Sequence, residues 1–405
     1  MNHWVELDKR YFMDTGHRRL GVTLVRGEGA RVWDEAGREY LDFIGGWAAC
    51  SLGHCHPVIL EALREQAARL ILASLDVYTT PQIELAELLI STSGLAKVFV
   101  CNSGAEANEG AVKLARKYGK LHLGGAYEVI SALKSFHGRT LAMVAATGKP
   151  EYQVPFTPLP EGFTHVPYND IGALRAAVRE RTCAVLLEPI QGEGGVIVPA
   201  EHYLREVRAL CDEHGILLIL DEVQTGCGRT GMLWAHEHFG IKPDIMTVGK
   251  GLGGGVPIAA FLANERAACF GPGDHGSTYG GNPLCSAVAA AVLRFIIKED
   301  LAGNAARVGR YFLEQLLALQ KKWDIVKDVR GRGLLLAMEF TRPVALALAQ
   351  ACRDRGLLVN PIPPQTIRFM PPLIIGQQEV DQAMAILESA INQIAQVTTS
   401  SEGVR

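Results

Sequence analysis

The sequence has little of what marks several large protein classes. Its 405 residues carry 40 Lys and Arg against 43 Asp and Glu, a formal net charge of −3. No Lys/Arg-rich block with interleaved aromatics occurs, so the electrostatic footprint of a nucleic-acid binder is missing. Aromatic residues make up only 7% of the chain. The longest apolar run, 284–297, is too short for a bilayer and is interrupted by Arg294, so no membrane span is expected. The first ten residues lack the apolar core of a secretory signal. The nine cysteines are odd in number and scattered, and none forms a C-x-x-C pair. Free thiols in a reducing cytoplasm are the expectation. Cys50, His54, Cys55 and His56 lie close together, but their spacing matches no standard zinc site and Pro57 is placed to open a helix. No metal is expected.

What is present is an ordinary globular composition, 48% hydrophobic and 20% charged. A chain of this length buries a large core and divides into two domains. Residues 1–57 form an N-terminal segment with strand signals at 22–25, 31–33 and 40–43, an antiparallel meander expected to pack with a C-terminal small domain. Residues 58–297 form a large domain. Helical spacing covers 58–72, and Pro81 opens a second helix to 90. Strand and helix patterns then alternate: strands at 97–101, 129–132, 142–145 and 184–187, helices at 172–180, 201–214 and 284–297. This alternation predicts an α/β fold with a mostly parallel sheet. From 298 the pattern changes to a helix (301–321), a strand (334–340), a helix (343–355), short strands at 357–359 and 367–369, and a helix at 378–395. That order predicts an α+β small domain over 298–395, with 396–405 as a polar tail.

The most informative stretch is 216–255. Two apolar runs, 216–220 and 245–248, end abruptly in polar residues: Asp221-Glu222 after the first, Gly249-Lys250-Gly251 after the second. Such runs read as buried parallel strands, and ligands bind outside the carboxyl ends of those strands. Asp221 and Lys250 are therefore expected to face one crevice. A lysine between glycines is sterically open, and amines form Schiff bases with carbonyl cofactors. An acid holding a pyridine nitrogen protonated completes the requirement of pyridoxal phosphate. A second stretch, 97–118, runs strand, small-residue turn (Asn102-Ser103-Gly104) and helix, which makes an anion cradle from free amides and the helix dipole. Gly226-Cys227-Gly228-Arg229-Thr230-Gly231 matches G-x-G-x-x-G by letter only, because Asp221 to Thr225 separate it from the strand. Lys250 fits no Walker A pattern.

Taken in order, the motifs NSGAEAN (102–108), FHGRT (136–140), EPIQGEGG (188–195), DEVQTG (221–226), GKGLGGG (249–255) and STYGGNP (277–283) resemble those of class III aminotransferases, above all acetylornithine aminotransferases and their ornithine- and lysine-pathway relatives. The resemblance covers most of residues 20–390. It implies fold type I, with a sheet of the seven-stranded type, and pyridoxal 5'-phosphate held by Lys250. It further implies that Asp221 sits at the ring nitrogen, Phe136 on the ring face, Val223 beneath the ring and Gln224 at the ring oxygen. Glu222 is counted with them as a cofactor residue. Ser103, Gly104 and Ala105 would hold the phosphate, and Thr278 would reach the phosphate of the other subunit in a homodimer with shared sites. Arg139, Glu193, Ser277 and Arg368 are the implied substrate residues. Arg139 is a fork for a carboxylate, and Arg368 a second fork that Glu193 pairs with and releases. The implied reaction moves the terminal amino group of N2-acetylornithine, or a similar ω-amino acid, to 2-oxoglutarate in arginine biosynthesis. Rival donors are ornithine, a lysine-pathway intermediate and 4-aminobutyrate. A racemase or decarboxylase on the same scaffold, or a nicotinamide enzyme, are rivals of another class. Trp47 stands where these relatives more often carry a smaller aliphatic residue.

Overall fold

The computed structural model describes residues 3–16 and 20–402, with side chains through residue 396. Strands β1 (Leu24–Glu28), β2 (Arg31–Asp34) and β3 (Glu39–Asp42) form the antiparallel meander read from the sequence. Seven strands follow: β4 (Lys97–Cys101), β5 (Glu128–Ala132), β6 (Phe163–Val166), β7 (Thr182–Leu187), β8 (Leu217–Asp221), β9 (Ile245–Val248) and β10 (Ala259–Ala263). They make one sheet in the order β4-β10-β9-β8-β7-β5-β6. All neighbours are parallel except β10, which runs antiparallel to both β9 and β4. The last strands are β11 (Val326–Arg332), β12 (Leu335–Phe340), β13 (Leu357–Leu358), β14 (Asn360–Ile362) and β15 (Thr366–Phe369). β13 completes the meander sheet by pairing parallel with β3, and the other four form a second small sheet.

The central strands are apolar throughout because both faces are covered. Along β8, Leu217 and Ile219 pack into one core cluster and Leu218 and Leu220 into another, on the opposite side. Helix Gly104–His122 lies close against this sheet. Ser103 caps it, its Oγ accepting from Glu106 N at 3.3 Å. Glycine in a helix interior costs about 1 kcal/mol against alanine. Here the close approach demands it: a Cβ on Gly110 would stand 2.2 Å from the Phe261 ring of β10, and one on Gly119 2.1 Å from the Ala126 carbonyl.

Three differences from the sequence reading have physical causes. Residues 142–145, expected as a strand, belong to helix Leu141–Ala146. A short, wholly apolar run carries no period to separate the two states, and Leu, Ala and Met favour helix. β6, β10 and β11 were not expected. β10 (Ala-Ala-Phe-Leu-Ala) has no β-branched residue, so its strand state comes from its two neighbours and not from propensity. The last helix runs Gln377–Glu402, past the expected end at 395 and through most of the expected tail.

Phe312, on helix Leu301–Lys322, ties the chain's two ends together. Its ring lies 5.6 Å from that of Phe43, after β3, and 5.2 Å from that of Phe369, beside Arg368 on β15. Truncation of such a buried ring costs about 3–5 kcal/mol. Phe312→Ala is expected to lower the urea midpoint of the unfolding step that includes this unit, followed by circular dichroism.

Candidate active site

Strand direction gathers the site. β5, β7, β8 and β9 are parallel, and β4 runs the same way because two antiparallel pairings separate it from β9. Their carboxyl ends therefore share one edge, where an open α/β sheet places ligands. Phe136 to Arg139 follow β5, Glu188 to Glu193 follow β7, Asp221 ends β8, Lys250 follows β9, and the helix N-terminus at Gly104 follows β4. A crevice of about 860 Å³ opens there, lined by Phe136, Arg139, Lys149, Tyr152, Glu193 and Lys250, with Trp47 from the N-terminal segment and Asn360 from β14.

Asp221 is only 4% exposed. Its Oδ2 accepts from Asn108 Nδ2 at 2.7 Å and lies 2.8 Å from His137 Nδ1, while Oδ1 accepts from Val223 N at 3.0 Å. The Thr247 hydroxyl bridges Asn108 Oδ1 (2.7 Å) and Asp221 Oδ1 (3.3 Å). A buried charge persists when it is hydrogen-bonded in this way. These partners, and not a salt bridge to Lys250, hold the carboxylate. Lys250 has a φ of 41°, a left-handed conformation that is strained for a side-chain-bearing residue. Burial pushes its amine below the ordinary value, although the Glu193 charge works the other way. A lysine amine with a lowered pKa is the better nucleophile.

The arrangement fits a ring with a phosphate. Gln224 Nε2 is buried without a hydrogen-bond partner, while its Oε1 accepts from Arg368 Nη1 at 3.0 Å. An oxygen on a bound ring would give that orphaned donor an acceptor. A Cβ on Gly104 would come 2.6 Å from Val223, and one on Gly249 3.3 Å from it, so both glycines keep a cradle open around Val223. The Ser103 side chain is spent on capping, and the first amides of its helix are left for an anion. Phe136 borders the crevice together with Lys250 and Arg139.

On the substrate side, the Arg139 guanidinium lies 4.0 Å from the Tyr152 ring centre and 5.3 Å from that of Phe136. These rings hold the fork flat without consuming its donors. Arg368 is 1% exposed, and its Nη2 donates to Glu193 Oε1 at 2.6 Å and to Asn360 Oδ1 at 2.9 Å. Burial alone would raise the Glu193 carboxyl, but the Arg368 charge, with Lys250 and Lys149, outweighs it and holds the group at about 2.

Two expected site residues face elsewhere. The Glu222 carboxylate accepts from Ala235 N (2.6 Å) and His236 N (2.9 Å) and contacts His236 Nδ1 (2.8 Å). It is 1% exposed and anchors the following turn instead of lining the crevice. Ser277 Oγ accepts from Gly280 N (2.9 Å) and Asn102 Nδ2 (3.3 Å), so it shapes its own loop and braces the turn at the helix start, outside the substrate crevice. Thr278 is exposed beside it. In the glycine-rich run after Gly226, Arg229 is buried and donates to the carbonyls of Leu334 (3.0 Å) and Pro371 (2.5 Å), a connector role unlike a dinucleotide turn. His54 pairs with Asp42 at 2.8 Å, and His56 caps helix Pro57–Ala67.

Asn108, His137 and Glu188 lie inside the quoted motifs, and the structure gives each a role that the sequence does not announce. Glu188 is buried, and its two oxygens accept separately from Phe136 N (3.1 Å) and Gly192 N (3.0 Å). Burial pushes its carboxyl up to about 7, against the His137 charge. A carboxyl raised in the folded state contributes its full stability below the ordinary carboxyl range and loses it as pH climbs through about 7. Glu188→Gln removes that titration. The urea midpoint of the parent minus that of the variant should therefore fall between pH 4.5 and 7. A flat difference would contradict the raised carboxyl.

The family model of class-III aminotransferases matches residues 12–391. An acetylornithine aminotransferase of Caldanaerobacter subterraneus subsp. tengcongensis is 49% identical over 391 residues, which cover 96% of this chain and 99% of the relative. Among solved structures, the ornithine aminotransferase of Toxoplasma gondii superposes with a TM-score of 0.93 at 36% identity, covering 97% of this chain and 95% of that one. The acetylornithine aminotransferase of Elizabethkingia anophelis superposes with a TM-score of 0.86 at 39% identity, covering 96% and 98%. With the sheet edge, the crevice and the lysine arranged as described, the chain belongs to the class III aminotransferases.

Proposed function

We propose that this chain moves the terminal amino group of N2-acetylornithine to 2-oxoglutarate, giving the semialdehyde and glutamate, as a step of arginine biosynthesis in the cytoplasm. The observation that carries the reading is an open arginine fork, Arg139, in one crevice with Lys250, and a second, buried fork, Arg368, closed off by Glu193 of the same crevice wall. The named relatives favour acetylornithine as donor. Trp47 and the ornithine aminotransferases among the solved neighbours keep free ornithine as the rival.

Pyridoxal phosphate, when bound, supplies the electron sink that makes a proton on the carbon next to the transferred nitrogen removable. Lys250 holds the cofactor and then carries that proton at Nζ, which its lowered amine pKa suits. Asp221, fixed by Asn108 and His137, keeps a positive charge on the ring nitrogen. Gln224 would hold the ring oxygen, Val223 and Phe136 would enclose the ring, and the amides at Ser103, Gly104 and Ala105 would hold the phosphate. Arg139 takes the α-carboxylate of the long donor while Glu193 keeps Arg368 closed. A keto-diacid opens that pair and uses both forks.

A second copy of the chain completes the site in this reading. Thr278 is exposed and is not part of the chain's own crevice lining, and beside its loop lies an apolar surface that includes Tyr279 (62% exposed) and Tyr78 (95% exposed). The two segments touch: Leu284 N donates to Ile71 O, and Gly281 lies against Gln82. Burying such a patch favours a homodimer in which Thr278 meets the partner's phosphate site.

Purified protein should show the visible band of a lysine-bound pyridoxal, and N2-acetylornithine without a keto acid should convert it to the pyridoxamine form. A band that answers ornithine but not N2-acetylornithine would replace the donor. Lys250→Ala should lose the lysine-bound band and the activity together, and a Lys250→Ala enzyme that still transaminated would end the reading. Because both substrates place a carboxylate on Arg139, Arg139→Lys should lower kcat/KM for both, roughly 10–100-fold.

A further inference from the structure

The two-substrate reading leaves one charge unaccounted for. When Arg368 turns to a keto-diacid, Glu193 loses its 2.6 Å partner. Its side chain is partly buried, 28% exposed, and a carboxylate so placed that loses its buried partner is left uncompensated at a cost. Three cations act on Glu193: Arg368, Lys250 and Lys149. In that state Arg368 is occupied by the substrate and Lys250 by the cofactor chemistry. Lys149 remains.

Its placement suits the task. Gly148, just before it, is fixed to the sheet end, with Lys134 N donating to Gly148 O at 2.7 Å and Gly148 N to Ser135 Oγ at 3.0 Å. From this anchored base the side chain crosses the crevice wall. Nζ passes 5.2 Å from the Tyr152 ring centre and donates to the backbone carbonyl of Glu193 at 2.9 Å. An ammonium has three rotatable donors, so the bond to the carbonyl leaves donors for the carboxylate of the same residue. The amine is thus already held at Glu193 while Arg368 still owns the carboxylate.

We propose that Lys149 is a specificity-determining residue that receives the Glu193 carboxylate when Arg368 is given up to a keto-diacid. It makes the open state of the gate affordable and so favours the second substrate over the first. This inference rests on the reading of Arg368 and Glu193 given above, and the test separates the two.

The holoenzyme and its Lys149→Met and Lys149→Arg variants are followed in single half-reactions, donor alone and 2-oxoglutarate alone. Binding of glutarate, a diacid that cannot react, is measured by calorimetry. Lys149→Met should raise the 2-oxoglutarate KM and the glutarate Kd roughly tenfold or more, the scale of a lost charge-assisted hydrogen bond. The donor half-reaction should change far less, and Lys149→Arg should recover most of the loss. Equal losses in both half-reactions would overturn the proposal in favour of a general field effect on carboxylates. No loss in either would overturn it as well. Arg368→Lys is the control: if it leaves glutarate binding intact, the reading of Arg368 as the diacid's fork fails and takes the proposal with it. If Arg368→Lys weakens glutarate while Lys149→Met does not, only the role of Lys149 is lost.

Discussion

Holding a carboxylate at the inner edge of a buried sheet is unfavourable, and much of this structure is arranged around making it tolerable. Asp221 ends the fourth strand of the seven-stranded order, where neighbours stand on both sides. Its stabilising groups come from separate segments: Asn108 from the helix after β4, His137 from the loop after β5 and Thr247 from β9. Each of those segments also carries a crevice or cradle element. The helix start offers amides, the loop offers Phe136 and Arg139, and β9 leads to Lys250. Satisfying one buried charge therefore sets the relative positions of groups far apart in sequence.

A second polar cluster does the same across the other wall. Arg368 from β15 reaches Gln224 beyond β8, Glu193 beyond β7 and Asn360 on the neighbouring strand β14. Packing here is close enough that a Cβ on Gly192 would stand 1.7 Å from Gln224 Oε1. The two clusters meet through Glu188, whose two oxygens hold the Phe136 loop and the Gly192 loop in register. A site of paired charges thus rests on backbone amides as well as on side chains.

How much of this was legible follows from where the signals are local. Apolar runs that stop in Asp221 and before Lys250 announce strand ends, so the central sheet and its edge could be read directly. Asp221 could be read with them, but the turning away of Glu222 could not. Adjacent residues after a strand point to opposite sides, and nothing in the two letters says that the second acid meets the turn at Ala235. β10 is a strand because β4 and β9 flank it, which is information held elsewhere in the chain. Asn108 and His137 gain their roles only when folding brings them to Asp221. Lys149 belongs to none of the quoted motifs; its meaning comes from the carbonyl it meets 44 residues away.

The sheet shared by the two ends of the chain has a consequence for the order of assembly. β3 pairs with β13, Phe43 O accepts from Met370 N, and Ser51 O accepts from Leu373 N. Among the described residues, these partners all come from the last fifty or so positions, since Leu41 N also donates to Gly356 O. During synthesis the first strands emerge early and wait through some three hundred residues, while the seven-stranded sheet, closed by β10 at residue 263, is complete long before. Contacts of such long sequence separation form late and slowly. Trp47, which lines the crevice from the waiting segment, and Asn360, which lines it from the late one, are thus set together in the closing stage of folding. The cradle for a phosphate precedes the wall that chooses a substrate.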